Sequence, residues 1–235
     1  MNKQSNTYTI FYIILLVVVV GAALAFTAMS LKPMQQANAD ADKMKQILAS
    51  VHIVPVEGQV KTDFDKYITK QLVVDIDGNE VSGDAFSVNV AQESKEKNSS
   101  MRKLPVFVCD LPGNGVKYIL PVYGAGLWGP IWGYVSVNSD GKTIYGAYFA
   151  HQGETPGLGA EIDKSAFSNQ FVDKRLFIDG KFKPVTVVKA GQKPLNGEDY
   201  VDGISGGTIT SKGVGSMLGN CLSPYKAYLE KLSKE

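Results

Sequence analysis

The chain has 235 residues, with 24 Lys and Arg against 23 Asp and Glu, for a formal net charge of +1. That near balance leaves no basic field for nucleic acid, and the length holds one membrane segment plus one domain of ordinary size. Two cysteines, Cys109 and Cys221, are too few for a disulfide framework and lack metal-ligand spacing, so no metal site is expected.

After a short tail (1–9), residues 10–31 form an uncharged, mostly apolar run long enough to span a bilayer. No small-x-small cleavage site follows the run before Lys32 and Pro33, so it reads as a retained anchor rather than a secretory signal. Its flanking charges, Lys3 on one side and Lys32, Lys43 and Lys45 on the other, set its orientation poorly. Residues 32–56 are the juxtamembrane stretch. Within it Ala37, Ala41, Met44, Ile47, Leu48 and Val51 recur at helical spacing, with Asp40, Asp42, Lys43 and Lys45 on the other face. That stripe predicts a helix over 33–51 that packs on the following domain.

From residue 57 to 235 the pattern is that of one α+β domain. Strands are predicted at 71–76, 104–109, 117–122, 131–137, 143–150 and 186–189, each rich in β-branched or aromatic residues and bounded by turn formers. Turns fall at 77–79 and 138–141, a surface loop or frayed helix at 91–100 and a helix at 163–171. The glycine-rich stretch 124–130 carries Leu127 and Trp128; it reads either as a turn with a core tryptophan or as a loop whose apolar side chains cover a flat ring. Residues 151–161 follow a strand as a loop in which His151 has a structural role. Cys109 and Cys221 read as two buried free thiols, with a single disulfide as the alternative if the domain lies outside the cytoplasm.

The densest stretch is 202–211, with three glycines and four hydroxyl side chains ahead of Val214, Met217, Leu218, Cys221 and Leu222 at helical spacing. It predicts a tight loop feeding a helix capped by Thr210 or Ser211. A plain turn, a nucleophile elbow and a phosphate site compete for it. The elbow fails because both histidines, His52 and His151, precede Ser205. A Walker A loop fails because no Lys-Ser or Lys-Thr pair follows a G-x-x-x-x-G. A phosphate suits the N–H groups and dipole of a helix start.

Residues 202–208, Asp-Gly-Ile-Ser-Gly-Gly-Thr, resemble the flavinylation motif Asp-x-x-Ser-Gly-Ala-Thr of bacterial redox pumps, with Gly207 in place of the usual alanine. Residues 151–159, with the order His-x-x-Glu-Thr-Pro-Gly-Leu-Gly, resemble a signature of the same FMN-binding domain. With the membrane segment, the resemblance covers nearly the whole chain. The family is shared by the C subunits of sodium-translocating NADH:quinone reductases, the nearer match, and the G subunits of Rnf-type complexes.

The resemblance implies FMN attached by a phosphoester to Thr208, with Asp202 either assisting attachment or capping its loop. It places Leu127, Trp128, Glu154, Thr155, Leu158 and Gly159 beside the flavin, and Ser205, Gly206 and Gly207 around the attachment point. Lys189 is a thinner assignment: a positive charge near the flavin pyrimidine or phosphate, or a solvated lysine. The implied partners are the other membrane subunits of the reductase and a flavin transferase that uses FAD. The implied location is the bacterial inner membrane, single-pass, with the domain on the periplasmic side.

No residue here is catalytic on its own. No G-x-G-x-x-G opens a βαβ unit for NADH, and sodium transport belongs to the complex, since one uncharged helix forms no ion path. The alternatives are the Rnf-type subunit and a membrane-tethered extracytoplasmic binding protein that holds its ligand without a covalent bond.

Overall fold

The computed structural model describes residues 6–96, 99–194 and 197–233. Two units follow one another along the chain, the first ending at Lys43 and the second starting at Met44.

The first unit is helical. It forms most of α1 (Asn6–Ala49), which runs unbroken through Pro33 rather than restarting there. Its side chains over residues 10–31 are exposed, and its mean hydropathy in the most apolar window is 2.8. Among the described residues, one helix is thus long and apolar enough to cross a membrane.

The second unit contains the last turns of α1, then α2 (Val60–Tyr67), β1 (Ile68–Val74), β2 (Glu80–Val81), α3 (Val90–Glu93), β3 (Leu104–Leu111), β4 (Gly115–Ala125), β5 (Pro130–Asn138) and β6 (Ile144–His151). The six strands form one antiparallel sheet in the order β2-β1-β3-β4-β5-β6. Inside the predicted loop at 91–100 the structure places the end of α3 and the start of a short 3-10 turn (Ser99–Met101), with residues 97–98 outside the described part.

Beyond the sheet come α4 (Ser165–Ser168), the hairpin β7 (Phe177–Ile178) with β8 (Lys181–Phe182), and the parallel pair β9 (Thr186–Val188) with β10 (Tyr200–Asp202). The chain closes with α5 (Thr208–Leu222) and α6 (Lys226–Leu232). The helix predicted at 163–171 is divided into α4 and flanking 3-10 turns, Gly159–Asp163 and Asn169–Phe171. Phe167 and Phe171 point inward from these turns to meet Phe149 of β6 at ring distances of 5.6 and 5.0 Å.

Both faces of the sheet are covered, which follows from strand alternation. Val106 of β3 and Leu120 and Val122 of β4 pack with Val214, Met217, Leu218 and Leu222 of α5. Phe107, Cys109 and Ile119 face the other way and pack with Ile47, Leu48 and Val51 and with Phe64 of α2. The predicted apolar stripe near the end of α1 therefore serves the core, although Ala37 is exposed. Cys109 and Cys221 lie in these two separate cores and are both free thiols, the first of the two sequence readings. Burial pushes the Cys109 thiol up to about 11, which keeps it protonated and unreactive.

Candidate functional site

Three loops converge at one end of the sheet. The first is the tip of the β4–β5 hairpin, closed by Gly126 N–H donating to Gly129 O at 2.8 Å, with Leu127 and Trp128 at its apex. Of the two readings for this stretch, a core tryptophan is overturned: Trp128 is 68% and Leu127 48% exposed, because the hairpin projects past the sheet. The second loop leaves β6 at His151 and turns through Thr155 and Leu158. The third runs from β10 into α5.

Thr208 is the first residue of α5 and is exposed; Gly207 stands at the N-cap, and no side chain caps this end. The expected cap by Thr210 or Ser211 is therefore corrected. The helix begins earlier than its apolar pattern suggested, and both hydroxyls fall in its first turn, bonded elsewhere. Ser211 Oγ accepts the N–H of Ile204 at 2.9 Å, which fastens the loop to the helix. A missing cap costs about 1 kcal/mol. Burial of Val214, Met217, Leu218 and Leu222 on the sheet outweighs it, at about 1.5–3 kcal/mol for each. α5 also lies tightly on β4: a Cβ on Gly213 would stand 2.3 Å from Ala125 O.

Gly206 has φ +76°, a backbone state that favours glycine, and a Cβ there would meet Leu158 Cδ2 at 2.5 Å. The motif glycine thus bends the chain and lets Leu158 lie against the loop. Leu127, Trp128, Leu158 and Ile209 are all large apolar side chains left exposed, between 42% and 68%.

Glu154 is buried, 5% exposed. Its Oε1 accepts the Trp128 N–H at 2.8 Å and its Oε2 accepts the Thr210 hydroxyl at 2.5 Å. One carboxylate therefore joins all three loops. Burial works to raise its pKa, but the bonds from Thr210 and from the Trp128 and Leu127 N–H groups outweigh it and hold the carboxyl below its ordinary value. His151 has the structural role expected of it: Nδ1 accepts the Glu154 N–H at 3.2 Å while Nε2 faces Asp163 at 3.7 Å. Gly159 has no Cβ to spare, since one would stand 2.4 Å from Glu154 Oε2 and 2.5 Å from Thr210 Oγ1. Thr155 is exposed and takes part through its carbonyl, which accepts the N–H groups of Leu158 and Ala160.

Thr208 also lines a cavity of about 500 Å³, of a size that small-molecule sites have. Its walls include Lys189, Ser205, Gly206, Thr208 and Lys212. Lys212 was not singled out from the sequence, although its place four residues after Thr208, one helical turn on, was a readable signal. Asp202 is exposed, and its Oδ1 accepts the Gly191 N–H at 3.3 Å. It steadies the turn after Lys189 rather than capping its own loop.

This set fits FMN: two lysines and an uncapped helix start suit the phosphate, and exposed apolar side chains suit a flat ring. The FMN-binding domain family matches residues 126–223, which span all three loops. The Na(+)-translocating NADH-quinone reductase C subunit (NqrC) of Vibrio anguillarum is 36% identical over 228 residues, covering 91% of this chain and 89% of that one. The chain belongs to the NqrC family. The Yersinia pestis member is 32% identical and covers the same 91% of this chain. Among solved structures, the NqrC of Parabacteroides distasonis is 51% identical with a TM-score of 0.78, covering 85% of this chain and 96% of that one. The Shewanella oneidensis member is 25% identical with a TM-score of 0.69, covering 84% and 100%. The α+β fold behind one N-terminal apolar helix is thus that of the NqrC family.

Proposed function

We propose that this chain is the membrane-anchored flavoprotein subunit of a sodium-translocating NADH:quinone reductase, carrying FMN by a phosphoester on Thr208 and relaying electrons within the complex. Membership of the NqrC family supports the assignment over an Rnf-type subunit and over a free-standing binding protein. The single observation that carries the site is Thr208, an exposed hydroxyl at an uncapped helix start on the wall of the 500 Å³ cavity.

In attachment, the Thr208 hydroxyl gives up its proton and takes the flavin-side phosphoryl group of FAD, with AMP as the leaving group, on a separate flavin transferase. Ser205 and Gly206 line the approach and put little bulk in it. The phosphoester's negative charge then lies at the positive end of α5, with Lys189 and Lys212 on the same cavity wall. Bound there, FMN supplies the electron carriage, and covalent attachment prevents its loss outside the cytoplasm. Leu127, Trp128 and Leu158 shield the ring from water. Thr155 and Gly159 shape the turn that presents Leu158, and Glu154 holds that turn against α5 and the hairpin. The domain beyond α1, residues 57–235, lies on the periplasmic side, with 10–31 spanning the inner membrane and 32–56 linking the two.

Protein made with its own transferase should give a fluorescent flavin band that survives denaturing electrophoresis. Thr208→Val, which preserves shape, should fold and lose that band. A noncovalent flavin in the wild type would overturn the phosphoester.

A further inference from the structure

Among the described residues Glu154 is the one acidic side chain that is buried, and it pairs with no lysine or arginine. A buried charge without a counter-ion is costly and is retained where it does something that a neutral group cannot. The hydrogen bonds alone do not require the charge. A glutamine in the same place would accept the Trp128 N–H with its oxygen and donate its amide to Thr210 Oγ1, since a hydroxyl also accepts. The fold nevertheless makes room for the carboxylate by omitting two side chains: Cβ atoms on Gly126 and Gly159 would stand 2.5 Å from Oε1 and 2.4 Å from Oε2.

The charge is also well placed. Oε1 is held by the backbone of Trp128, whose ring is exposed, and Oε2 by Thr210, two residues along α5 from Thr208. The groups facing it are donors: the N–H groups of Trp128 and Leu127 and the Thr210 hydroxyl, with His151 behind and Asp163 beyond that. We infer, resting on the reading that FMN is carried at Thr208, that Glu154 is a fixed negative charge that lowers the reduction potential of that flavin. Adding an electron to a ring beside an anion is opposed by their repulsion, and the shielding of the site from water strengthens that repulsion.

The test is a spectroelectrochemical titration at pH 8 of the full-length flavinylated protein, comparing wild type, Glu154→Gln and Thr210→Val. Glu154→Gln removes the charge and keeps the bonds to Trp128 and Thr210. Its flavin should be easier to reduce, with the reduced-to-oxidised ratio at a fixed ambient potential raised at least threefold. Thr210→Val keeps the charge and removes a compensating dipole, so its flavin should be harder to reduce. Opposite signs separate the charge from disturbed packing, which would move both variants the same way. An unchanged or lowered potential in Glu154→Gln overturns the inference. Should Glu154→Gln fail to fold, Thr210→Val decides alone, and an unchanged or raised potential there overturns it. Wild-type protein without covalent flavin would instead overturn the attachment at Thr208, and this inference with it.

Discussion

Thr210→Val takes away one hydroxyl and almost no volume at a position that is 1% exposed. The lost bond is the 2.5 Å donation to Glu154 Oε2. Hydrogen bonds to charged groups contribute about 1.5–3 kcal/mol. The carboxylate is buried, so water does not replace the donor. We expect a loss of about 2 kcal/mol. For a domain of this size, each kcal/mol moves Tm by about 2–4 °C, which gives a fall of roughly 4–8 °C. The assay is thermal unfolding of the full chain in detergent, followed by near-UV circular dichroism. Thr210→Ser keeps the hydroxyl and should restore most of the loss. A Thr210→Val protein within about 0.5 kcal/mol of wild type, the range of ordinary surface substitutions, would refute the reasoning. So would a serine variant as unstable as the valine one.

Trp128→Ala and Leu158→Ala should each shift the absorbance or potential of the flavin while leaving it on the chain; wild-type spectra and potentials in both would remove them from the ring's surroundings. The stability that Glu154 contributes depends on pH. Its carboxyl is held below its ordinary value, so the contribution is full above about pH 4.3 and is lost as pH falls through the lower, folded-state value. The Tm difference between wild type and Glu154→Ala should therefore shrink as pH falls below that ordinary value, and a difference that stays constant or grows on acidification would contradict this sign. A reporter fused after Glu235 should be active only in its periplasmic form.

Much of the fold was legible because period-two alternation with turn formers is a local signal. The four long strands β3 to β6 and the helix after the motif appear within a few residues of their predicted places. The divided helix at 163–171 was not legible, because Phe167 and Phe171 have near-helical spacing although a ring cluster with Phe149 sets their geometry. Pro33 reads locally as a helix start, yet α1 continues through it. In the candidate site, Thr208, Leu158 and Gly206 were named through the resemblance to the family's two motifs. The Glu154–Thr210 bond was not, since its partners are 56 residues apart and either side chain alone has an ordinary surface explanation. Ser and Thr favour cap positions, which is why the sequence points to Thr210 or Ser211 as the cap. Thr210 lies instead inside the first turn, past the N-cap at Gly207, and its hydroxyl donates to a buried carboxylate rather than accepting a backbone N–H.

The central claim is the bond between FMN and Thr208. Peptide mass spectrometry on protein matured by its own flavin transferase tests it most directly. The peptide containing residues 202–211 should carry one FMN, with fragment ions placing it on Thr208, and the same peptide from Thr208→Val should carry none. FMN found on Ser205 or Thr210 in the wild type, or still attached in Thr208→Val, would contradict the account.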